Sequence, residues 1–151
     1  MIRPFFLFGG CFLVLLGCVG RNDSQFATNL TFDEAQDIVF IERQDGNLDS
    51  LHNPAPDEGE LDLVELSPDN RMVLLTVTTG DGGRAWVYQV GNSEWHEIEG
   101  GFGLGEMGWL NDGRVVLHQG CVLATQCKKL ESKSADAPWV MEVVEDLGKN
   151  E

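Results

Sequence analysis

Positive charge is what this chain has least of. Ten lysines and arginines stand against 25 aspartates and glutamates, a formal net charge of −15. Such a surface repels phosphate backbones and anionic headgroups, so neither nucleic acid nor an anionic lipid face is expected as its main partner. Histidine is scarce too. His52, His96 and His118 stand at no metal-ligand spacing among themselves. No Gly-x-Ser-x-Gly elbow occurs, so a serine hydrolase of that type is unsupported. Acid pairs such as Glu97 and Glu99 are ordinary on a solvated strand in so acidic a chain. No catalytic residue is therefore assigned, and the chain is read as a non-enzyme. Long apolar runs are also missing, since a bilayer-spanning helix needs about 20 apolar residues.

One short apolar segment does exist, from Phe5 to Leu16, with Arg3 before it and small residues after it. A charged start, a short apolar core and small residues are the pattern of a secretory signal. The segment closes on Leu15-Leu16-Gly17-Cys18, which resembles the lipobox of bacterial lipoproteins. The resemblance implies a signal peptide over residues 1–17, cleavage before Cys18, and a covalent lipid on Cys18. Two or three acyl chains there would anchor the protein stably, where one would bind reversibly. It also implies a bacterial cell-envelope location. Val19 after the lipidated cysteine leans towards the outer membrane if the source is Gram-negative. Residues 18–36 are polar and are expected to be a tether, with the folded domain over 37–151.

An exported protein meets an oxidising compartment, so Cys121 and Cys127 are expected to form a disulfide. Eighteen glycines and five prolines suit short strands joined by tight turns. Asp37–Glu42 predicts a strand, Gln44–Asn47 a turn, and Leu48–Leu51 a return strand. Then the chain repeats itself. Ser67-Pro68-Asp69-Asn70-Arg71 and Asn111-Asp112-Gly113-Arg114 are hairpin turns whose aspartates stand 43 residues apart. A strand-like stretch precedes each turn, Leu61–Leu66 and Glu106–Leu110. After each come an apolar strand (Met72–Val77, Val115–Gln119), a third strand (Arg84–Val90, Lys128–Ser132) and a fourth around Trp95 or Trp139. A period of about 40–45 residues holding four strands is a propeller-blade signature. The turns resemble those of TolB-like and WD40-like β-propellers. The expected fold is thus all-β, with antiparallel four-stranded propeller-like blades in about two and a half repeats, as an incomplete propeller or an open sheet stack. On this register Cys127 corresponds to Arg84.

Two motifs carry little chemistry. Asp45-x-Asn47-x-Asp49 has the opening spacing of a calcium loop, but Ser50 stands where that loop needs glycine and Pro56 where it needs the bidentate glutamate. It is read as a polar turn, with calcium only a weak candidate; no other metal or cofactor is expected. Gly103-x-Gly105-x-x-Gly108 opens no predicted helix, so it is read as a link between blades rather than a nucleotide site. Trp86, Trp95, Trp109 and Trp139 suit core positions in blades, with a sugar-stacking surface as the alternative. The leading expectation is an envelope lipoprotein whose domain is a protein-binding or structural module, its partner another envelope protein or a second copy. The alternatives are an enzyme or enzyme subunit acting on envelope polymers, and a calcium-stabilised structural module.

Overall fold

The structure, a computed structural model, describes residues 26–79, 82–99, 102–103, 106–119 and 127–146. The signal peptide, Cys18 and Cys121 lie outside these residues. Every regular element described is a β-strand: β1 (Ala27–Asp33), β2 (Ile38–Arg43), β3 (Leu48–His52), β4 (Glu60–Leu66), β5 (Met72–Thr79), β6 (Gly82–Gln89), β7 (Glu94–Glu97), β8 (Phe102–Gly103), β9 (Glu106–Trp109), β10 (Val115–Gln119), β11 (Lys128–Ser132) and β12 (Met141–Asp146). They form three antiparallel meanders, β1-β2-β3, β4-β5-β6-β7 with β8 added on β6, and β9-β10-β11-β12. None of the three closes on itself.

The middle sheet is buried on both faces, and strand alternation decides which side chain goes where. Val73, Leu75, Val77, Trp86 and Tyr88 pack against Val39, Ile41 and Leu51 of the first sheet. Leu74, Ala85 and Val87 pack against Val115 and Leu117 of the third. The run Met72-Val-Leu-Leu75 is apolar on both sides because both sides meet a neighbour. Fully burying one such side chain contributes about 1.5–3 kcal/mol, so these two seams hold the stack together.

Folded structure begins earlier than the composition suggested. Residues 27–33, expected within the tether, form β1, which pairs with β2 from Ala27↔Arg43 to Asp33↔Ile38. Residues 29–33 alternate, Leu30 and Phe32 towards the middle sheet and Asn29 and Thr31 outward, but the row is short, polar on one side and interrupted by a bulge at Ala27/Asn29. That outward row made the segment read as a linker.

The repeat is real in the pairing, but its register shifts. Leu66 faces Val73 in the first copy, and Trp109 faces Val115 in the second. The first loop is one residue longer, so Val73, not Met72, is the counterpart of Val115. A one-residue slip exchanges the two faces of a strand, and only the pairing register restores the correct face. By the same logic Leu75↔Trp86 matches Leu117↔Leu130. Lys128, not Cys127, therefore takes the place of Arg84. Trp139 also departs from expectation, lying just before β12 rather than within it.

Both hairpin turns fold as their residues dictate. Asn70 and Gly113 take positive φ, 60° and 85°, the region open mainly to glycine and asparagine. In the first turn the Ser67 hydroxyl accepts the Met72 amide at 2.9 Å and donates to Asp69 at 2.8 Å. In the second, Asp112 accepts the Arg114 amide at 3.2 Å.

Candidate functional site

The three sheets end on β3, β7 and β12, and these strands follow one another along one side of the stack. Two neighbouring residues of β7 tie that side together because they point opposite ways. Trp95 turns towards the first sheet. It meets Tyr88 at 5.1 Å between ring centroids and walls a groove of about 400 Å³ with Ser50, Leu51, His52 and Pro54. His96 turns towards the third sheet and stacks flat on Trp139, centroids 3.6 Å apart and planes within 6°. Its Nε2 is buried with no hydrogen-bond partner among the described residues, and the Glu94 carboxylate lies 3.8 Å away.

Among the described residues, the large exposed apolar side chains are Leu48, Trp95, Val140, Val143 and Val144. All lie on β3, β7 or β12, or on the residue just before β12. Scattered exposed apolar residues need no explanation; here they fall on the strands that end the three sheets. Carboxylates interleave with them: Glu94 and Glu97 on β7, Glu142 and Glu145 on β12. The rim is apolar and acidic at once.

Ion pairs fix its framework. Arg43 is clamped by Asp49, with Nε to Oδ2 at 2.6 Å, and donates to Ser93 at 2.9 Å. The Tyr88 hydroxyl donates to the same Asp49 oxygen at 3.3 Å. Arg84 holds Glu97 through two hydrogen bonds, at 2.8 and 2.7 Å, and Glu58 through a third. The Arg84 guanidinium draws the Glu97 carboxyl below its ordinary range, against a smaller opposing effect of burial. Lys129 and then Arg114 do the same to Glu131 on the outer face of the third sheet.

The residues singled out from sequence fall as follows. Asp45 accepts the Asn47 backbone amide and side-chain amide, both at 3.0 Å, which makes an Asx turn. Asp49 is engaged by Arg43 instead, so the calcium spacing is not assembled around one centre. Among the described residues no group of three or more His, Cys, Asp or Glu side chains could hold a metal. Gly103 lies in β8 and Gly108 in β9, so the glycine motif joins strands and opens no helix. Trp86 is buried, and Trp109 is half-buried with its Nε1 donating to the Glu65 carbonyl at 3.2 Å. Trp95 alone of the four is counted as exposed, at 37%. Cys127 is buried at the start of β11, and its expected partner Cys121 lies outside the described residues. No described helix is long and apolar enough to cross a membrane. The rim itself was invisible to sequence reasoning, since nothing in the letters says that the fourth strands end their sheets side by side.

No known protein-family model matches this chain, and no curated protein matches it in sequence.

Proposed function

We propose that this chain is a non-enzymatic lipoprotein of the bacterial envelope, anchored through Cys18, whose stacked, propeller-like sheets bind another protein through the rim of β3, β7 and β12. One observation carries the binding reading: the exposed large apolar side chains gather on the strands that end the three sheets. Propeller-like modules serve widely as binding platforms, and that analogy adds modest weight. A disulfide between Cys121 and Cys127 belongs to the same reading, because it suits an exported domain. The acidity of the rim favours a basic partner surface over nucleic acid or anionic lipid.

The test is cross-linking in intact cells followed by purification of the full chain. Wild type is expected to recover a defined protein, and the double variant Leu48→Ser, Trp95→Ser is expected to lose it. Equal recovery by both would overturn the rim as the contact surface. A Cys18→Ala chain is expected to leave the membrane fraction, and its retention there would overturn the anchor.

A further inference from the structure

The tryptophans are not equivalent once placed. Trp86 is buried under the Arg84 guanidinium. Trp109 is half-buried, and its Nε1 is spent on the Glu65 carbonyl. Trp139 is half-buried, with His96 stacked flat on one face. Trp95 is exposed and walls the groove of about 400 Å³ with Ser50, Leu51, His52 and Pro54. That size suits a small ligand. The Trp95 ring meets Tyr88 at a tilt of 58°, so this contact does not cap it with a parallel ring. Tyr88 is buried and bonded to Asp49, which Arg43 clamps. The indole is therefore set in place before a ligand arrives, which spares part of the ordering cost of binding. Ser50 and His52 are exposed, and neither their side chains nor the Trp95 N–H has a hydrogen-bond partner among the described residues. None of the five lining residues is Asp, Glu, Lys or Arg. The charged groups nearest in sequence on the same side are already paired, Asp49 with Arg43 and Glu97 with Arg84.

We infer that this groove binds a neutral carbohydrate, with one pyranose ring lying on Trp95. The inference goes beyond the protein-binding reading of the rim and does not rest on it. An indole face is slightly negative, and a pyranose covers it with slightly positive C–H groups. The hydroxyls around the ring edge both donate and accept. The Ser50 hydroxyl does the same, the His52 imidazole in its neutral form offers one of each, and the Trp95 N–H adds a donor. A cationic ligand finds no carboxylate among the lining residues. An acidic sugar meets the repulsion of a chain with a net charge of −15. Neutral, polyhydroxylated and flat on one side is the ligand chemistry left.

The probes are cellotetraose and chitotetraose, with tetragalacturonate as the acidic control. An oligoproline peptide is the rival ligand for an aromatic groove. Each is added to the full chain in mild detergent while the tryptophan indole N–H resonances are followed by NMR, that of Trp95 being identified from the Trp95→Phe variant. At least one neutral tetrasaccharide is expected to shift the Trp95 resonance with millimolar or tighter affinity. The affinity is expected to be almost independent of salt, since no charge pair forms. Trp95→Ala is expected to weaken binding roughly tenfold or more, and Trp95→Phe, which keeps a ring, by less. Ser50→Ala and His52→Ala are exposed changes and are each expected to weaken it a few-fold. Tetragalacturonate is expected not to bind. Failure of both neutral sugars to shift Trp95 in the millimolar range would overturn the inference. So would equal binding of the acidic sugar, binding of oligoproline alone, or unchanged sugar binding by Trp95→Ala. Cross-linked recovery of a partner protein is a separate readout, and its failure would leave the carbohydrate groove standing.

Discussion

Ser132 is fully buried, and its hydroxyl connects three parts of the third sheet. Its Oγ accepts the Val115 amide at 2.7 Å and donates to the Pro138 carbonyl at 2.7 Å. It thereby fixes the entry to β10 against the loop that carries Trp139 to His96. Replacing it with alanine leaves a buried donor and a buried acceptor without partners. Such a loss costs about 1–3 kcal/mol, so Ser132→Ala is expected to lower the urea midpoint by a matching amount. An unchanged midpoint would mean that water enters and replaces the hydroxyl. Gly113 is a second sensitive residue. With φ at 85°, an added Cβ is strained on the backbone and also stands 3.3 Å from the Ala135 Cβ. Gly113→Ala is expected to cost about 1–2 kcal/mol, whereas Asn70→Gly, at the matching turn, is expected to be nearly neutral by the same measurement. The sequence announced these turn positions, because asparagine and glycine after aspartate advertise positive φ. Ser132 was not legible, since a serine inside a strand looks the same whether it faces solvent or bridges two buried backbone groups.

Strands rather than residues determine how the molecule responds to acid. Arg84 joins β6 to Glu97 on β7 and to Glu58 in the loop before β4, and its guanidinium lies 5.1 Å from the centre of the Trp86 ring. The hydrogen bonds from Arg84 hold the folded Glu97 carboxyl below its ordinary value of 4.5. A depressed carboxylate stabilises the fold at pH above that ordinary value, and the contribution fades as pH falls through the folded value. Glu97→Gln is therefore expected to be less stable than wild type at neutral pH, with the gap closing as the solution becomes more acidic than about pH 4. The Glu97 side chain is 42% exposed, so added salt is expected to narrow the gap as well. Urea midpoints at two pH values and two salt concentrations check both statements; a gap that widens in acid would contradict them. Most strands, β2 to β7 and β9 to β12, were legible because alternation and turn residues agree there, although β12 begins two residues after Trp139. β1 was not, because its outward row is polar. β8 was not, because two residues carry no period. The register between the repeats was also hidden, since the letters align Asp69 with Asp112 while an extra loop residue moves the following strand by one.

At the scale of the whole stack, the decisive surfaces are its two outer faces. In the middle sheet, Trp86 and Tyr88 look towards the first sheet while Ala85 and Val87 look towards the third. The pairing makes Phe40 and Glu42 the counterparts of Trp86 and Tyr88 on the outer face of the first sheet. Around them stand Asn29, Thr31, Asp33, Ser50 and His52, together with Ile38 and the exposed Leu48. On the outer face of the third sheet, Lys129 and Glu131 replace Ala85 and Val87. Glu131 is bound by Lys129 at 2.8 Å and by Arg114 at 2.7 Å. Stacking another sheet there would strip water from charged groups, and the penalty is several kcal/mol per ion even after relaxation. Repeat arrays stay soluble when their end units turn a polar face outward; the third sheet does so with Lys129 and Glu131, while the first mixes polar residues with Phe40 and Leu48. The stack is therefore expected to remain a monomer. Sedimentation of residues 19–151 should give one chain per particle, and a stable dimer would show that a face or an edge pairs between copies. The converse is sharper. Lys129→Ala with Glu131→Val gives the third sheet the residues with which the middle sheet receives a neighbour. That variant is expected to associate at concentrations where the parent does not, while Thr31→Ser on the opposite face is expected to leave the mass unchanged. If the double variant stayed monomeric and folded, charge on the outer face would not be what ends the stack.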